Sequence, residues 1–146
     1  MKKCSKCNEL KSFDSFQKMT SSSDGLYPSC KICKNEKDKT IRRTIKGVVT
    51  ELYKKQRWSS KKRQHNMPEY SKEEFRKWLY SQPLFFELYN NWVNNEYDKN
   101  LTPSVDRINS SISYKMSNIQ LMTWHENNIK GSKKNEFFNS NYKKHN

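Results

Sequence analysis

The pattern of apolar and polar positions predicts a helical region over residues 36–100. In the segment 36–58 the apolar residues lie three or four positions apart, which is typical of one buried helix face. Ser71 and Glu74 form a capping box that opens a second helix, and Pro83 ends it. An aromatic-rich stripe then predicts a third helix, whose rings we expect in the core, with base stacking as the alternative. The apolar residues of the three stripes are Ile41, Ile45, Val48, Val49, Leu52, Phe75, Trp78, Leu79, Phe85, Phe86, Leu88, Tyr89, Trp92 and Val93.

The segment after this region changes its periodicity. Alternating polarity predicts one strand over residues 104–108 and another over 119–122, with a turn-rich loop between them. Thr123 with Glu126 forms another capping box, so a short helix is expected to start there. Gly131 is expected to end this helix. The Lys-, Asn- and Ser-rich residues 132–146 are expected to form a flexible tail, and Trp124 is expected in the core.

Four cysteines in two close pairs dominate the N-terminal segment. Each pair leaves a gap of two residues, which lets one tight turn present both sulfurs to one ion. Ser22, Ser23, Asp24 and Gly25 supply a turn between the pairs. We therefore predict a closed, structural Zn²⁺ site rather than two disulfides or free thiols. Its ligands are Cys4, Cys7, Cys30 and Cys33.

Composition and charge indicate a small core and a polyanionic partner. Charged residues make up 30% of the 146 residues, and the formal net charge is +14. Residues 1–67 contain 18 Lys and Arg against 6 Asp and Glu, whereas residues 68–146 contain 11 against 9. Such a basic half favours nucleic acid as the partner over an anionic membrane surface, because residues 34–63 lack an apolar stripe backed by a basic face. We expect small folded units joined by exposed helices.

Targeting signals and residue usage indicate the cellular compartment and the type of genome. No apolar run approaches the roughly 20 residues that span a bilayer. The N-terminal sequence lacks the apolar core of a secretory signal, so a cytoplasmic protein is expected. The chain has no Ala and many Lys and Asn codons, which suggests an AT-rich phage or bacterial genome. A phage protein would act in the cytoplasm of its bacterial host.

Residues 4–35 resemble a zinc-knuckle module that precedes some phage nuclease domains, including proteins of the endonuclease VII type. The shared features are the two Cys pairs, the Asp24–Gly25 turn, and the aromatic residues Phe13 and Phe16. This resemblance implies a nucleic-acid enzyme, although zinc modules also occur in binding proteins.

Residues 101–131 resemble the ββα-metal motif of HNH endonucleases. The family places an acidic residue at the end of the first strand, an Asn on the second strand, an Asn or His on the helix and often a Lys three residues later. The matching positions are Asp106, Asn118, Asn127 and Lys130. The resemblance implies a small, irregular α+β fold: a Cys4 zinc module over 1–35, a basic helical region over 36–100, the ββα-metal motif over 101–131 and the tail.

The same resemblance implies a metal-dependent DNA endonuclease or nickase. Asp106 and the Asn127 side-chain oxygen would hold one Mg²⁺ or Mn²⁺, because hard divalent cations prefer oxygen ligands. Asn118 would hold the loop by hydrogen bonds, and Lys130 would meet a phosphate. Basic residues would follow the DNA backbone. The candidates are Arg42, Arg43, Lys46, Lys54, Lys55, Arg57, Lys61, Lys62 and Arg63.

Arg107 stands where the family has its general-base histidine. Arginine stays protonated and cannot act as an ordinary base, but it binds phosphate well. Another group could therefore serve as base, with His125, Tyr114 and His65 as candidates. Alternatively, water could attack without a side-chain base, or the scaffold could be a degenerate one that only binds DNA. A zinc module that binds an acidic host protein is a third, separate function.

Overall fold

The computed structural model describes the backbone of residues 1–142 and the side chains of residues 1–133. Two compact units divide the chain, Met1–Gly47 and Val48–Asn146. The first unit contains two antiparallel strand pairs and a helix. Its elements are β1 (Lys2–Lys3), β2 (Leu10–Lys11), β3 (Phe16–Lys18), β4 (Leu26–Cys30) and α1 (Lys31–Arg42).

The second unit combines helices with one antiparallel hairpin, which confirms the small α+β class. Its elements are α2 (Ile45–Lys62, whose first turn belongs to the first unit), α3 (Lys72–Tyr80), α4 (Pro83–Asn94), β5 (Pro103–Arg107), β6 (Ile119–Thr123) and α5 (Trp124–Tyr142). None of the helices in the described part of the chain combines the length and apolarity needed to cross a bilayer.

The core of the first unit is small and built around sulfur. Cys4, Phe16 and Cys30 are buried, and Leu26 and Cys33 pack against them. The predicted turn forms at Gly25, whose φ of 69° is easily adopted by glycine. Asp24 stabilises this turn by accepting hydrogen bonds from the Ser22 hydroxyl and the Leu26 N–H group. So few apolar contacts leave much of this unit's stability to the cysteine cluster.

Aromatic rings form the core of the second unit, as the helical stripes predict. Apolar residues that share one face of α3 or of α4 are fully buried, among them Phe75, Leu79 and Phe85. The Tyr70 and Phe75 rings stack with centroids 5.7 Å apart. The Ser71–Glu74 capping box that opens α3 is present with both of its hydrogen bonds.

The pattern predicts one helix over residues 36–58, but the chain forms two. Hydrogen bonds between neighbouring residues interrupt the helix after Arg42. The Gly47 N–H group donates to the Thr44 hydroxyl over 3.0 Å, which caps the first turn of α2. Ile41, which the pattern placed on the buried face, is 53% exposed, whereas Val48, Val49 and Leu52 are buried. Lys61 and Lys62 belong to the last turn of α2.

The last helix also differs from its prediction. It begins at Trp124, as the capping box indicates, but it continues through Gly131 to Tyr142. One glycine costs a helix only about 1 kcal/mol, so the polar residues beyond it can extend the helix. The tail prediction for residues 143–146 lies outside the described residues. Trp124 is half-buried rather than fully buried.

Gly47→Ala should destabilise the protein, although alanine usually favours a helix. A Cβ at this position would lie 2.1 Å from the Ile41 carbonyl oxygen. Relieving that overlap should cost about 1–3 kcal/mol, measured by chemical denaturation. Gly131→Ala is the matched control, because its Cβ would meet nothing within 4 Å. That variant should gain about 0.5–1 kcal/mol. A gain in both variants would contradict the close approach at Gly47.

Candidate functional site

The four cysteines converge on one point in the first unit. Cys4 and Cys7 lie in the loop between β1 and β2, Cys30 ends β4, and Cys33 lies in the first turn of α1. Their four sulfur atoms lie within 4.8 Å of one another, and none of them is in a disulfide. This geometry is compatible with a structural metal such as zinc, because four sulfurs complete a closed tetrahedral set.

Backbone donors point at the most deeply buried sulfur. The N–H groups of Cys30 and Lys6 donate to Cys4 Sγ over 3.3 and 3.4 Å. Burial raises the pKa of the Cys4 thiol, but the backbone N–H donors, that of Cys30 foremost, together lower it to about 6. A hydrogen bond with Cys30, followed by burial, raises the pKa of the Cys33 thiol to about 12. These donors therefore favour the thiolate of Cys4, the form that binds a metal.

The β5–β6 hairpin and α5 form a strand–loop–strand–helix arrangement in the second unit. Asp106 pairs with Gln120 in the strand register, and Arg107 pairs with Ile119. The turn into α5 is fixed by the predicted capping box. The Glu126 N–H group donates to the Thr123 hydroxyl over 3.2 Å, and the Thr123 N–H group donates back to the Glu126 carboxylate over 2.7 Å. Two side chains that follow on α5 contact β5, Asn127 through Ser104 and Lys130 through Asp106.

Asp106 is surrounded by donors. Its Oδ2 atom accepts a hydrogen bond from Gln120 Nε2 over 2.9 Å and an ion pair from the Lys130 ammonium. Lys130 also donates to the Arg107 carbonyl oxygen over 3.0 Å. Asp106 is therefore paired with one cationic side chain, that of Lys130, while the Arg107 side chain has other partners.

Arg107 is buried and held from three directions. Its side chain is 6% exposed, and Nη1 lies 2.7 Å from Nδ1 of His65 and 3.2 Å from the Ile112 carbonyl oxygen. Its guanidinium carbon lies 5.2 Å from the centre of the Tyr114 ring. Arginine has only donors, so His65 Nδ1 must be the acceptor in this pair. The guanidinium is thereby fixed in one orientation.

Asn118 and Asn127 stabilise the hairpin and its junction with α5. Asn118 donates to the Asn109 and Ser113 carbonyl oxygens, and its Oδ1 accepts from the Asn109 N–H group over 2.8 Å. It thus closes the loop between the strands, as expected. Asn127 donates to the Ser104 hydroxyl over 2.9 Å, which joins α5 to β5.

These residues border a cleft of about 620 Å³ within the second unit. One wall comes from β5 and α5, and the other from α2 and the residue that follows it. The first wall includes Ser104, Asp106, Arg107, Trp124, Asn127 and Asn128. The second includes Leu52, Lys55, Gln56, Trp58, Ser59 and Arg63. The cleft therefore places an acid–amide pair opposite basic and aromatic side chains.

The predicted site residues fall into separate groups. Asp106, Arg107 and Asn127 line the cleft, and Lys130 contacts Asp106. His125 is exposed in the first turn of α5 and is not among the residues that line the cleft. The predicted DNA-contacting residues divide between the two units. Arg63 lines the cleft and Lys61 and Lys62 are exposed nearby on α2, whereas Arg42 and Arg43 lie at the end of α1.

Two residues of the site were not singled out by the sequence. Gln120, which is outside the cleft lining, donates to Asp106 across the hairpin, a contact that strand register could have indicated. Trp58 lies in a stripe with Lys55 and Lys62, three and four residues away, which place all three on one helix face. This spacing is the sequence signal that could have identified Trp58.

The predicted Mg²⁺ site has suitable atoms but few of them. A metal held mainly by protein side chains needs three or more Cys, His, Asp or Glu groups close together. Among the described residues, the four cysteines form that group. In the cleft, Asp106 and Asn127 offer oxygen atoms of the type Mg²⁺ prefers.

Comparison of the chain with protein-family models, with curated proteins and with solved structures found no match.

Proposed function

We propose that this protein is a metal-dependent HNH-type DNA endonuclease or nickase, with a structural zinc in its first unit. The observation that carries the proposal is the cleft. Asp106, Arg107 and Asn127 line it together on a strand–loop–strand–helix arrangement, opposite the basic helix α2. The proposal includes a phage origin and action in the cytoplasm of a bacterial host.

The residues present fit one Mg²⁺ or Mn²⁺ by ligand chemistry. Asp106 and the amide oxygen of Asn127 would hold it, with water and a phosphate oxygen completing its shell. When bound, the ion stabilises the negative charge that develops on the phosphate and the leaving oxygen. The Lys130 ammonium on Asp106 would then be available to a phosphate of the substrate.

The chain's own cations supply the rest of the binding. Nη1 of the buried Arg107 is held by His65 and the Ile112 carbonyl oxygen, so its remaining N–H groups would bind a phosphate oxygen. Lys55 and Arg63 line the opposite wall, where they would bind the flanking backbone. Among the candidate bases, Tyr114 lines the cleft beneath Arg107, whereas His65 and His125 are outside the cleft lining. Nδ1 of His65 accepts from Arg107, which leaves the other ring nitrogen as a donor, so His65 positions Arg107 and Tyr114 is our first candidate for moving a proton.

A DNA-binding protein without catalysis is the second candidate function. The specific observation in its favour is the ion pair between Lys130 and Asp106, together with an arginine at the usual position of the base. In this alternative the cleft binds a phosphate through its cations, and Asp106 only positions Lys130.

Nicking of supercoiled plasmid distinguishes the two functions. The native protein should produce nicked circles with Mg²⁺ or Mn²⁺ and none when the divalent cation is omitted, a control that spares zinc. Asp106→Ala should lower the rate at least about 100-fold, because it removes the carboxylate ligand. Glu87→Ala is the matched control, since it removes an exposed carboxylate outside the cleft lining. Plasmid or natural genomic DNA that stays intact but shifts in a gel would favour the non-catalytic function.

A further inference from the structure

Trp58 is exposed on the wall of the cleft. Its side chain is 63% exposed, whereas Trp92 in the core of the same unit is 8% exposed. Tryptophan is usually well buried because its ring removes a large apolar area from water. An exposed indole beside Asp106 and Asn127 therefore indicates a surface that a ligand covers.

The helix around Trp58 has a buried stripe and an exposed stripe, and both contribute residues to the cleft lining. Leu52, Gln56 and Ser59 belong to the buried stripe. Lys55, Trp58 and Lys62 follow each other by three and four residues, which places them together on the exposed side. Lys62 Nζ lies 4.9 Å from the centre of the indole ring, a cation–π contact that holds the ring in place. Lys55 lines the cleft beside Trp58, whereas Lys62 is not part of its lining.

We propose that Trp58 stacks on an unpaired nucleobase, so that the substrate of this cleft is DNA with a single-stranded segment. The proposal rests on the proposed DNA-cleaving function and adds its substrate class. Basic side chains bind the phosphates while an aromatic ring binds a base face, which is the usual combination in single-strand binding. The cleft volume of about 620 Å³ is within the range of pockets that hold a small molecule. In a duplex each base face is covered by its neighbours, so a stacked base must first be unpaired.

The test compares two labelled 12-residue DNA strands by fluorescence anisotropy, without added divalent cation. One strand is oligothymidylate and the other is its abasic equivalent, which keeps the phosphates and lacks the bases. Trp58→Ala should weaken oligothymidylate binding about tenfold. It should change binding of the abasic strand less than twofold, because the phosphate contacts remain. Trp58→Phe should restore most of the lost affinity, since phenylalanine still stacks.

Two controls keep the result interpretable. Leu84→Ala removes an apolar side chain that is 44% exposed on α4, outside the cleft lining, and should leave both affinities unchanged. Circular dichroism melting should show the same transition for each variant, because both side chains are exposed.

The outcomes separate this proposal from the proposed function. Equal weakening of both strands by Trp58→Ala, or no weakening of either, overturns base stacking even if the native protein nicks plasmid. Native protein that binds neither strand and nicks no plasmid overturns both proposals. Tighter binding of a hairpin duplex than of oligothymidylate also contradicts a single-stranded substrate.

Discussion

Cys4→Ser should abolish zinc binding and unfold residues 1–47 while the second unit keeps its fold. Cys4 is fully buried at the centre of the small core, and two backbone N–H groups donate to its sulfur. Structural zinc contributes about 10–16 kcal/mol of apparent binding energy in small domains. A unit of this size has little else to replace that contribution.

Native mass spectrometry and hydrogen exchange measure this outcome. The native protein should carry one zinc per chain and protect the backbone amides of β4 and α1. Cys4→Ser should lose both, whereas the amides of α3 and α4 should remain protected. Ser5→Ala is the control, because Ser5 is an exposed neighbour whose backbone N–H group donates to the Pro28 carbonyl oxygen. Retained protection in metal-free protein would contradict a structural role for the metal.

Features that depend on short spacing could be predicted from the sequence. The two cysteine pairs and their intervening turn come together as expected, because a two-residue gap limits where the sulfurs can point. Both capping boxes form, since they depend on residues three positions apart. The order of strand, loop, strand and helix also follows from local periodicity.

Features that depend on backbone hydrogen bonds at a helix break or on tertiary contacts could not be predicted in the same way. The break between α1 and α2 is local: Gly47 donates to the Thr44 hydroxyl and approaches the Ile41 carbonyl oxygen, and apolar spacing reports neither contact. His65 meets Arg107 across 42 positions of sequence. Asp106 accepts an ion pair from Lys130, so its neighbours in space differ from those expected of a metal ligand alone. Sequence spacing places these residues on elements, but packing decides their partners.

Arg107 should be required for nicking even when its charge is kept. Arg107→Lys should lower the nicking rate at least about 100-fold, in the range expected for loss of one fixed donor to a transition state. Lysine has no planar fork, so it cannot hold His65 and a phosphate together as the guanidinium can. Arg107→Ala should lower the rate at least as much. It should also cost about 1–3 kcal/mol of stability, because His65 and the Ile112 carbonyl oxygen lose a charged donor.

The controls decide between a phosphate clamp and a missing base. Arg76→Lys makes the same chemical change at an ion pair with Glu73 on α3, outside the cleft lining, and should leave nicking unchanged. Arg107→His should also reduce nicking if the native arginine binds the phosphate. A sharp increase in Arg107→His would instead show that the native chain lacks its general base, and that the cleft serves mainly to bind DNA. Lysine keeps the positive charge but lacks the planar guanidinium, whereas histidine supplies a base. The two variants together therefore distinguish a phosphate-binding Arg107 from a missing general base.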